Sequence, residues 1–143
     1  MKSNPVCELC DQVGGALLWQ DDRCRAVLVE DADYPGFCRV IWQQHVKEMT
    51  DLSAAERAHL MATVFAVEAA IREVMGPDKI NLASLGNLTP HLHWHVIPRY
   101  LHDKHFPQPV WGTAQREGTS SLPPGWQKRL IESVRSRLPD GTC

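Results

Sequence analysis

Short apolar stretches separated by polar turns open the chain and predict three strands. Residues 16–19 and 24–30 are apolar runs on either side of the polar turn 20–22, so we expect them to form a hairpin. The next turn, 31–36, is rich in Asp, Pro and Gly, and it leads into a further apolar run at 37–42. The pattern therefore places three strands ahead of any long helix.

A long amphipathic helix is predicted next. Ser53 and Glu56 have the spacing of a capping box, in which the hydroxyl accepts from a first-turn N–H and the carboxylate reaches back to the cap. Apolar residues then recur every three or four positions, at Leu60, Val64, Val67, Ile71 and Val74. Gly76 and Pro77 end the pattern. We interpret the stripe as the face that a helix lays on the sheet.

The second half of the chain predicts two more strands and a last helix. Residues 79–85 and 92–97 have strand character and are joined by 86–90, which contains Gly and Pro. Residues 98–125 are rich in Pro and Gly and show no steady period, so we expect mostly loop there. Residues 126–138 are predicted to be helical. The order of these elements indicates an α+β fold with an antiparallel sheet.

Length and composition narrow the class of protein. At about 150 residues per domain, a chain of 143 residues is expected to be one domain, 1–143. Hydrophobic residues make up 43% and charged residues 22%, which argues against disorder. No apolar run approaches the roughly 18 residues of a membrane span, and the first ten residues lack the apolar centre of a secretory signal. We therefore expect a soluble cytoplasmic protein.

The charge pattern bears on possible partners. The formal net charge is −2 with neutral histidines, and the basic residues form no stripe. A protein that binds duplex nucleic acid normally carries a basic surface. Duplex binding is therefore disfavoured, whereas the binding of small nucleotides is not.

Five cysteines are present, an odd number, and without an export signal we expect reduced thiols. Cys7 and Cys10 form a C-x-x-C pair, a spacing that can hold a metal ion or undergo redox cycling. Cys24, Cys38 and Cys143 are isolated in the sequence.

Three of the seven histidines, His91, His93 and His95, lie within five residues. Strand side chains alternate between two faces, so the three imidazoles are expected on one face, with the apolar residues between them on the other. Successive rings would be roughly 7 Å apart at their Cα atoms, close enough to share one small anion. Alternating histidines on a strand also bind zinc, so a catalytic zinc held by the three rings is the competing interpretation.

The segment His91–Ile97 resembles the His-φ-His-φ-His-φ-φ signature (φ apolar) of the histidine triad superfamily of nucleotide hydrolases and transferases. The C-x-x-C pair, the hairpin, the turn at 34–37, the long helix and the Ile97-Pro98-Arg99 after the triad are also in that family's order. The resemblance implies a HIT-like fold, a five-stranded antiparallel sheet with a long central helix and a C-terminal helix. It implies a core at about 6–112, a C-terminal loop and helix at 113–143, and a homodimer.

The resemblance further implies chemistry at the α-phosphate of a nucleotide. His93, the middle histidine, would attack phosphorus and form a nucleotidyl-histidine intermediate that water hydrolyses, since an imidazole with a pKa of about 6.5 is largely neutral in the cytoplasm. His95 would donate to the phosphate oxygens, His91 would orient the cluster or assist the leaving group, and Asn87 would donate its amide N–H. The implied substrates are dinucleoside polyphosphates, nucleoside phosphoramidates or nucleotidyl adducts, with no organic cofactor. A nucleotide-binding regulatory module of the same fold with weak turnover is the alternative.

In the family, an acidic or amide residue after the second strand hydrogen-bonds the ribose hydroxyls. The resemblance assigns this role to Asp31. Glu30 and Asp33 are alternatives, because the turn is slightly shorter here. The alternative for each of these acids is that it only shapes the turn and binds no ligand.

Some bacterial members of the family bind zinc through an N-terminal C-x-x-C, a histidine at the end of the third strand and the first histidine of the triad. The matching residues here are Cys7, Cys10, His45 and His91, which make a closed tetrahedral donor set of the structural type. Such an ion would fix the N-terminus to the sheet and orient the His91 ring. The alternative is two free buried thiols and a surface His45.

The loop 103–112 carries charged and aromatic residues directly after the triad strand. We expect this loop to line the leaving-group side of the site or to reach the site of a partner subunit. Lys104 and His105 are candidates for contact with a distal phosphate. The alternative is that the aromatic residues of the loop only pack.

Overall fold

A computed structural model describes residues 7–118 and 122–140 of the chain. It has the α+β fold predicted from the sequence, a five-stranded antiparallel sheet with helices. The strands are β1 (Ala16–Gln20), β2 (Cys24–Leu28), β3 (Cys38–Trp42), β4 (Lys79–Ala83) and β5 (His93–Arg99). The helices are α1 (Glu8–Asp11), α2 (Ala54–Met75) and α3 (Trp126–Arg137), with a 3-10 turn at Met49–Asp51.

The strand that carries two of the histidines, β5, lies inside the sheet. The strand order is β1-β2-β3-β5-β4, because the chain passes through α2 to the far edge before β5 returns to pair with β3. The register of β3 and β5 sets Ile41 opposite His93 and Arg39 opposite His95. β3 therefore pairs with both histidines on one side, and β4 pairs with His95 on the other.

All five predicted strands are present, and their ends lie within two residues of the prediction. The difference that matters most for the site is at β5, which was predicted at 92–97 and is observed at His93–Arg99. His91 thus precedes the strand, and its side chain is not bound to follow the strand's alternation.

Helix α2 begins and ends as predicted. The Ser53 hydroxyl accepts from the Glu56 backbone N–H at 3.2 Å, and the Glu56 carboxylate accepts from the Ser53 N–H at 2.7 Å. Gly76 ends the helix with a φ of 58°, a left-handed conformation that favours glycine. The apolar stripe is buried against the sheet, although Val74 is only partly buried.

Helix α3 completes the layer over the same face of the sheet. Arg135 Nε donates to Leu18 O at 2.9 Å, and Trp19 Nε1 donates to Pro139 O at 2.8 Å, which fastens α3 to β1. The helix predicted at 126–138 is confirmed, except for its last residue. In the described ranges, none of the helices has both the length and the apolarity needed to span a membrane.

The opposite face of the sheet is covered by the N-terminal segment and by the loop after β5. Arg25 on β2 donates to the backbone oxygens of Leu9, Gln12 and Val13 at 2.8 to 3.0 Å, and so holds the N-terminal segment across this face. Leu9 also packs in a small apolar cluster with Val27. The triad residues lie between the N-terminal segment and the loop after β5.

The described cysteines, Cys7, Cys10, Cys24 and Cys38, form no disulfide bond with one another. Cys24 and Cys38 are fully buried in the main core beneath the helices. Cys143, the fifth, lies outside the described residues. Cys7 and Cys10, in contrast, lie next to the triad residue His91.

Candidate active site and metal centre

His93 and His95 lie side by side on β5, on the face of the sheet opposite the helices. Each is 7% exposed, and their rings meet edge to face with centroids 4.9 Å apart. The predicted alternation holds for this pair, because Trp94 and Val96 belong to the core on the other face. The imidazoles of His93 and His95 therefore lie side by side in a site that is largely shielded from water.

The His93 ring has a defined tautomer. Its Nδ1 lies 2.6 Å from the backbone oxygen of His91, and because a carbonyl oxygen only accepts, Nδ1 carries the proton. Burial lowers the pKa of His93 and the nearby Arg39 charge acts in the same direction, while the hydrogen bond to His91 opposes them. The ring is therefore neutral at neutral pH, and Nε2 keeps the lone pair that a nucleophile needs.

His95 lies in an apolar and cationic setting. Burial lowers the pKa of His95 to about 4, and His93 and Arg39 contribute in the same direction. The rings of Phe37 and Trp111 contact it, with centroids 5.6 and 4.8 Å away. Its buried Nδ1 has no hydrogen-bond partner among the described residues. A neutral imidazole with an unsatisfied nitrogen is suited to bind a polar atom of a ligand.

His91 does not share a ligand site with the other two histidines. It is fully buried, and its Nε2 lies 2.6 Å from Trp42 O, so this nitrogen carries the proton. Its Nδ1 lone pair faces the N-terminal cysteines. The structure thus differs from the expected sharing of one anion by three rings, because both ring nitrogens of His91 are engaged elsewhere. What His91 contributes to the pair is its backbone oxygen, which orients His93.

The four predicted metal ligands, Cys7, Cys10, His45 and His91, come together beside the histidine pair. Their donor atoms all lie within 4.8 Å of one another. His91 Nδ1 is 3.4 and 3.5 Å from the sulfur atoms of Cys7 and Cys10, and 3.2 Å from His45 Nδ1. Cys7 caps α1 and Cys10 lies within it, so one short helix presents both thiols to the sheet.

These distances fit a tetrahedral zinc ion. With Zn–N bonds of about 2.05 Å and Zn–S bonds of about 2.3 Å, the ligand atoms would be about 3.3 Å apart for two nitrogens and about 3.6 Å apart for nitrogen and sulfur. The observed separations are 3.2 Å between the nitrogens and 3.2 to 3.5 Å between nitrogen and sulfur. His91 also donates its other ring N–H to a backbone oxygen, the usual support of a metal-ligating histidine.

A second group of ligand-type residues, Asp21, Cys24 and His59, has a structural explanation. Asp21 Oδ1 accepts from the backbone N–H groups of Arg23 and Cys24, and Oδ2 lies 2.7 Å from His59 Nε2. Burial raises the pKa of Cys24 to about 12, so it stays a thiol. This group closes the turn between β1 and β2 and ties the turn to α2.

The predicted phosphate donor Asn87 lies in the loop between β4 and β5, where it is exposed. An open pocket of about 430 Å³ borders this loop, and its lining includes Met49, Ser84, Gly86 and His93. Ser84 Oγ donates to His93 O at 2.7 Å, which ties the loop to the strand. The pocket therefore connects the loop of Asn87 with His93, although no hydrogen bond joins their side chains within the described part of the chain.

The acidic residues expected near the ribose form the turn between β2 and β3. Asp31 Oδ1 accepts from the Asp33 backbone N–H at 2.9 Å, a hydrogen bond that shapes the turn. Glu30 is exposed, and Asp33 Oδ2 lies 3.4 Å from Lys104 Nζ. The turn role of Asp31 is therefore observed, and ribose binding stays a prediction.

The loop 103–112 is organised around the buried carboxylate of Asp103. This group accepts from Arg99 Nε at 2.9 Å, from the Tyr34 hydroxyl at 3.2 Å and from three backbone N–H groups at 2.8 to 3.2 Å. Burial alone would raise the pKa of Asp103, but the hydrogen bonds from Arg99 and the backbone hold it well below its usual value. An ionised carboxylate thus anchors the loop to β5.

The two loop residues expected to meet a distal phosphate have protein partners. Lys104 pairs with the acidic turn after β2, and His105 Nδ1 lies 2.7 Å from the Tyr34 hydroxyl. The contribution of the loop to the site is Trp111, which is 51% exposed and lies against His95. Lys104 and His105 therefore contact other protein groups, and Trp111 is the loop residue that borders the candidate site.

Arg39 is a residue of this site that sequence interpretation missed. It lies on β3, directly opposite His95. In the sequence it is one charged residue in an apolar strand, which by itself carries no functional signal. Arg39 can be recognised as a site residue only once β3 is known to pair with β5, because that pairing places it opposite His95.

Comparison with known proteins agrees with this geometry. A family model described as HIT domain matches residues 12–102. A protein named AP-4-A phosphorylase from Mycobacterium tuberculosis is 35% identical over 78 residues, a match that covers 50% of this chain and 40% of that protein. The chain therefore matches less than half the length of this curated relative.

Solved structures of the same fold are also found. A histidine triad protein from Bradyrhizobium japonicum is 28% identical with a TM-score of 0.71, over 87% of this chain and 91% of that chain. A Zn-bound histidine triad family protein from Mycobacterium smegmatis is 19% identical with a TM-score of 0.64, over 92% and 94% of the two chains.

Proposed function

Because this chain belongs to the HIT domain family, we propose that it cleaves nucleoside phosphate derivatives at the α-phosphate through a covalent nucleotidyl intermediate on His93. The substrate class comprises dinucleoside polyphosphates, nucleoside phosphoramidates and nucleotidyl adducts. The observation that carries the proposal is the tautomer of His93, whose Nδ1–H is donated to the His91 backbone oxygen at 2.6 Å. This leaves Nε2 with the lone pair of a neutral nucleophile, and His93 is one of the residues that line the open pocket.

The reaction has two displacement steps. In the first, Nε2 of His93 attacks the α-phosphorus, and the bond from phosphorus to the leaving group breaks with its electron pair on that group. The imidazole gains a positive charge, which the His91 oxygen stabilises through the Nδ1–H. In the second step, water attacks phosphorus and gives up a proton to the solvent, the N–P bond returns its electron pair to Nε2, and a nucleoside monophosphate is released.

The other predicted residues take binding roles in this proposal. His95, neutral and buried next to His93, donates to a non-bridging phosphate oxygen in a site from which water is largely excluded. Asn87, on the loop that borders the pocket, donates to the phosphate from the other side. Asp31 accepts from the ribose hydroxyls.

The acceptor in the second step decides between a hydrolase and a transferase. The relative from Mycobacterium tuberculosis is named a phosphorylase, which makes inorganic phosphate the competing acceptor. With Ap4A as substrate, water yields AMP and ATP, whereas phosphate yields ADP and ATP. Product analysis with and without phosphate therefore separates the two, and we propose water as the main acceptor.

The intermediate provides the direct test. Rapid quenching of the protein with adenylyl-labelled Ap4A into alkaline denaturant, which preserves a histidine N–P bond, is expected to leave protein-bound AMP at up to about one per chain. The label should be absent from His93→Asn and present in His102→Asn, the same change at an exposed histidine. Turnover without any adduct would contradict the proposal. Nucleotide binding with neither adduct nor turnover would instead favour the regulatory module.

We also propose that Cys7, Cys10, His45 and His91 hold a structural zinc ion. The spacing of their donor atoms supports this, and a Zn-bound relative of the same fold is known. Four protein donors leave no open position, so the bound ion would act as a cross-link. These residues would join the N-terminal segment, the end of β3 and the start of β5. This proposed zinc site uses only His91 of the triad. It therefore differs from a catalytic zinc site, in which all three triad histidines would bind the ion.

Removing one ligand is expected to remove the metal and part of the stability. The His45→Asn variant should lose the zinc, about one ion per chain in the wild type, and its Tm should fall by about 10 °C, because the cross-link is lost. Metal analysis of protein purified without chelators and thermal unfolding measure both effects. His102→Asn is the matched control and should keep the zinc and the Tm. A metal-free Cys7→Ser variant with an unchanged Tm would refute the structural role.

A further inference from the structure

Three arginines lie on the sheet face that carries the histidine pair, one each from β2, β3 and β5. Arg25 makes four hydrogen bonds to protein oxygens, three of them backbone carbonyls of the N-terminal segment. Arg99 pairs with Asp103 and also donates to Asn81 Oδ1 at 2.7 Å. The hydrogen-bonding capacity of both residues is thus used in holding the fold.

The third arginine, Arg39, is not balanced in this way. Within ranges 7–118 and 122–140, its guanidinium makes one long hydrogen bond, from a terminal nitrogen to Gly14 O at 3.3 Å. Its Nε is buried without a hydrogen-bond partner, and no carboxylate pairs with it in the residues that the structure describes. Keeping a partly buried cation unpaired is costly, and such a charge is normally compensated by an anion.

The position of Arg39 shows where that anion would lie. Arg39 is opposite His95 in the register of β3 and β5, and Cα atoms of opposed residues are about 4.5 to 5.5 Å apart. The buried Nδ1 of His95 also lacks a partner among the described residues. Two unsatisfied nitrogens, one of them cationic, therefore project from directly paired positions on the face that presents His93. The charge of Arg39 reaches both rings, since it contributes to the lowered pKa of His93 and of His95.

We propose that Arg39 binds a non-bridging oxygen of the substrate's α-phosphate and neutralises the charge on it while His93 attacks. The inference rests on the proposed function, because it takes His93 as the nucleophile. A guanidinium is always charged and presents several N–H groups in a plane, which suits two oxygens of one phosphate. The backbone of Arg39 is fixed before substrate arrives, because β3 pairs with β2 on one side and with β5 on the other.

The role explains how a neutral imidazole attacks an anionic phosphorus centre. The non-bridging oxygens carry negative charge that opposes the approach of the Nε2 lone pair. A fixed cation in a site of low water content offsets that charge at the moment of attack. Removal of one comparable donor from an enzyme site costs on the order of 10²- to 10³-fold in kcat.

The test compares Arg39→Gln with Arg39→Lys and with Arg23→Gln, which removes the same charge from an exposed position. For Arg39→Gln we expect about a 10²-fold loss in kcat for Ap4A. We also expect AMP binding, measured by calorimetry, to weaken about tenfold, while adenosine binding stays unchanged. Arg39→Lys should recover part of the AMP affinity because it restores the charge. Arg23→Gln should match the wild type in all three measurements.

The comparison of AMP with adenosine separates phosphate binding from a general structural effect. Equal losses for AMP and adenosine, or no loss for AMP, would overturn the role of Arg39. A wild-type protein that binds AMP no better than adenosine would overturn it as well. The protein-bound AMP on His93 is measured separately, so its presence keeps the proposed function even when the Arg39 result is negative.

Discussion

Replacing His93 with asparagine is expected to reduce kcat for Ap4A by at least about 10⁴-fold, equivalent to a rise of about 5.5 kcal/mol in the barrier. In the proposed mechanism, the change removes the nucleophilic Nε2, so the reaction would lose its covalent route. Asparagine keeps a side-chain N–H that can be donated to the His91 oxygen, the partner of His93 Nδ1. Nucleotide binding should therefore stay within about tenfold of the wild type. Single-turnover kinetics and calorimetry measure the two quantities.

The split between kcat and binding distinguishes a nucleophile from a scaffold residue. His95→Asn should weaken phosphate binding as well as turnover, because His95 is assigned to the phosphate oxygens. If His93→Asn lost binding and turnover in equal proportion, His93 would be a positioning residue or a ligand-binding residue. Undiminished turnover in His93→Asn would refute the covalent mechanism.

Replacing Asp103 with asparagine is expected to lower the free energy of unfolding by about 3 to 5 kcal/mol. The guanidinium of Arg99, 2% exposed, would lose its counter-charge inside the protein. An amide has one acceptor oxygen, whereas the carboxylate serves Arg99, Tyr34 and three backbone N–H groups with two. Urea unfolding monitored by fluorescence measures the change.

Asp33→Asn is the matched control for this variant. Asp33 also pairs with a cation, Lys104, but at 3.4 Å and on the surface. Exposed pairs contribute about 0 to 1 kcal/mol, so the control should unfold almost as the wild type does. Equal effects of the two substitutions would show that the buried pair contributes no more than an exposed one.

Local patterns in the sequence were sufficient for most of the fold. The capping box at Ser53, the apolar stripe and Gly76 are contained within one segment, and α2 begins and ends where they indicate. The strand ends were less well predicted, because a strand ends where its partner does. β2 stops at Leu28 and not at residue 30, since its pairing with β3 ends opposite Cys38. The homodimer and the cytoplasmic location stay predictions.

The candidate site was only partly predictable, for a related reason. The C-x-x-C pair and the triad were identified from their spacing in the sequence, and the resemblance added His45 and the joint assignment as metal ligands. The structure brings the four predicted ligands together. The hydrogen bond from His91 Nε2 to the Trp42 carbonyl was not foreseen, because Trp42 is 49 residues away in the chain. Arg39 was missed because its meaning comes from the strand opposite it. Interactions between distant segments are decided by register, which a local pattern does not contain.

His91 supplies its ring to the cysteine cluster and its carbonyl to His93. A fusion partner or affinity tag joined ahead of Cys7 would therefore lie close in sequence to the cysteines that contact His91, the residue that orients the ring of the proposed nucleophile His93. The opposite end of the chain is attached to α3, in the helical layer on the other face of the sheet. For immobilisation on a surface, or for a reporter fusion, we therefore expect attachment after α3 to disturb the candidate site less than attachment ahead of Cys7.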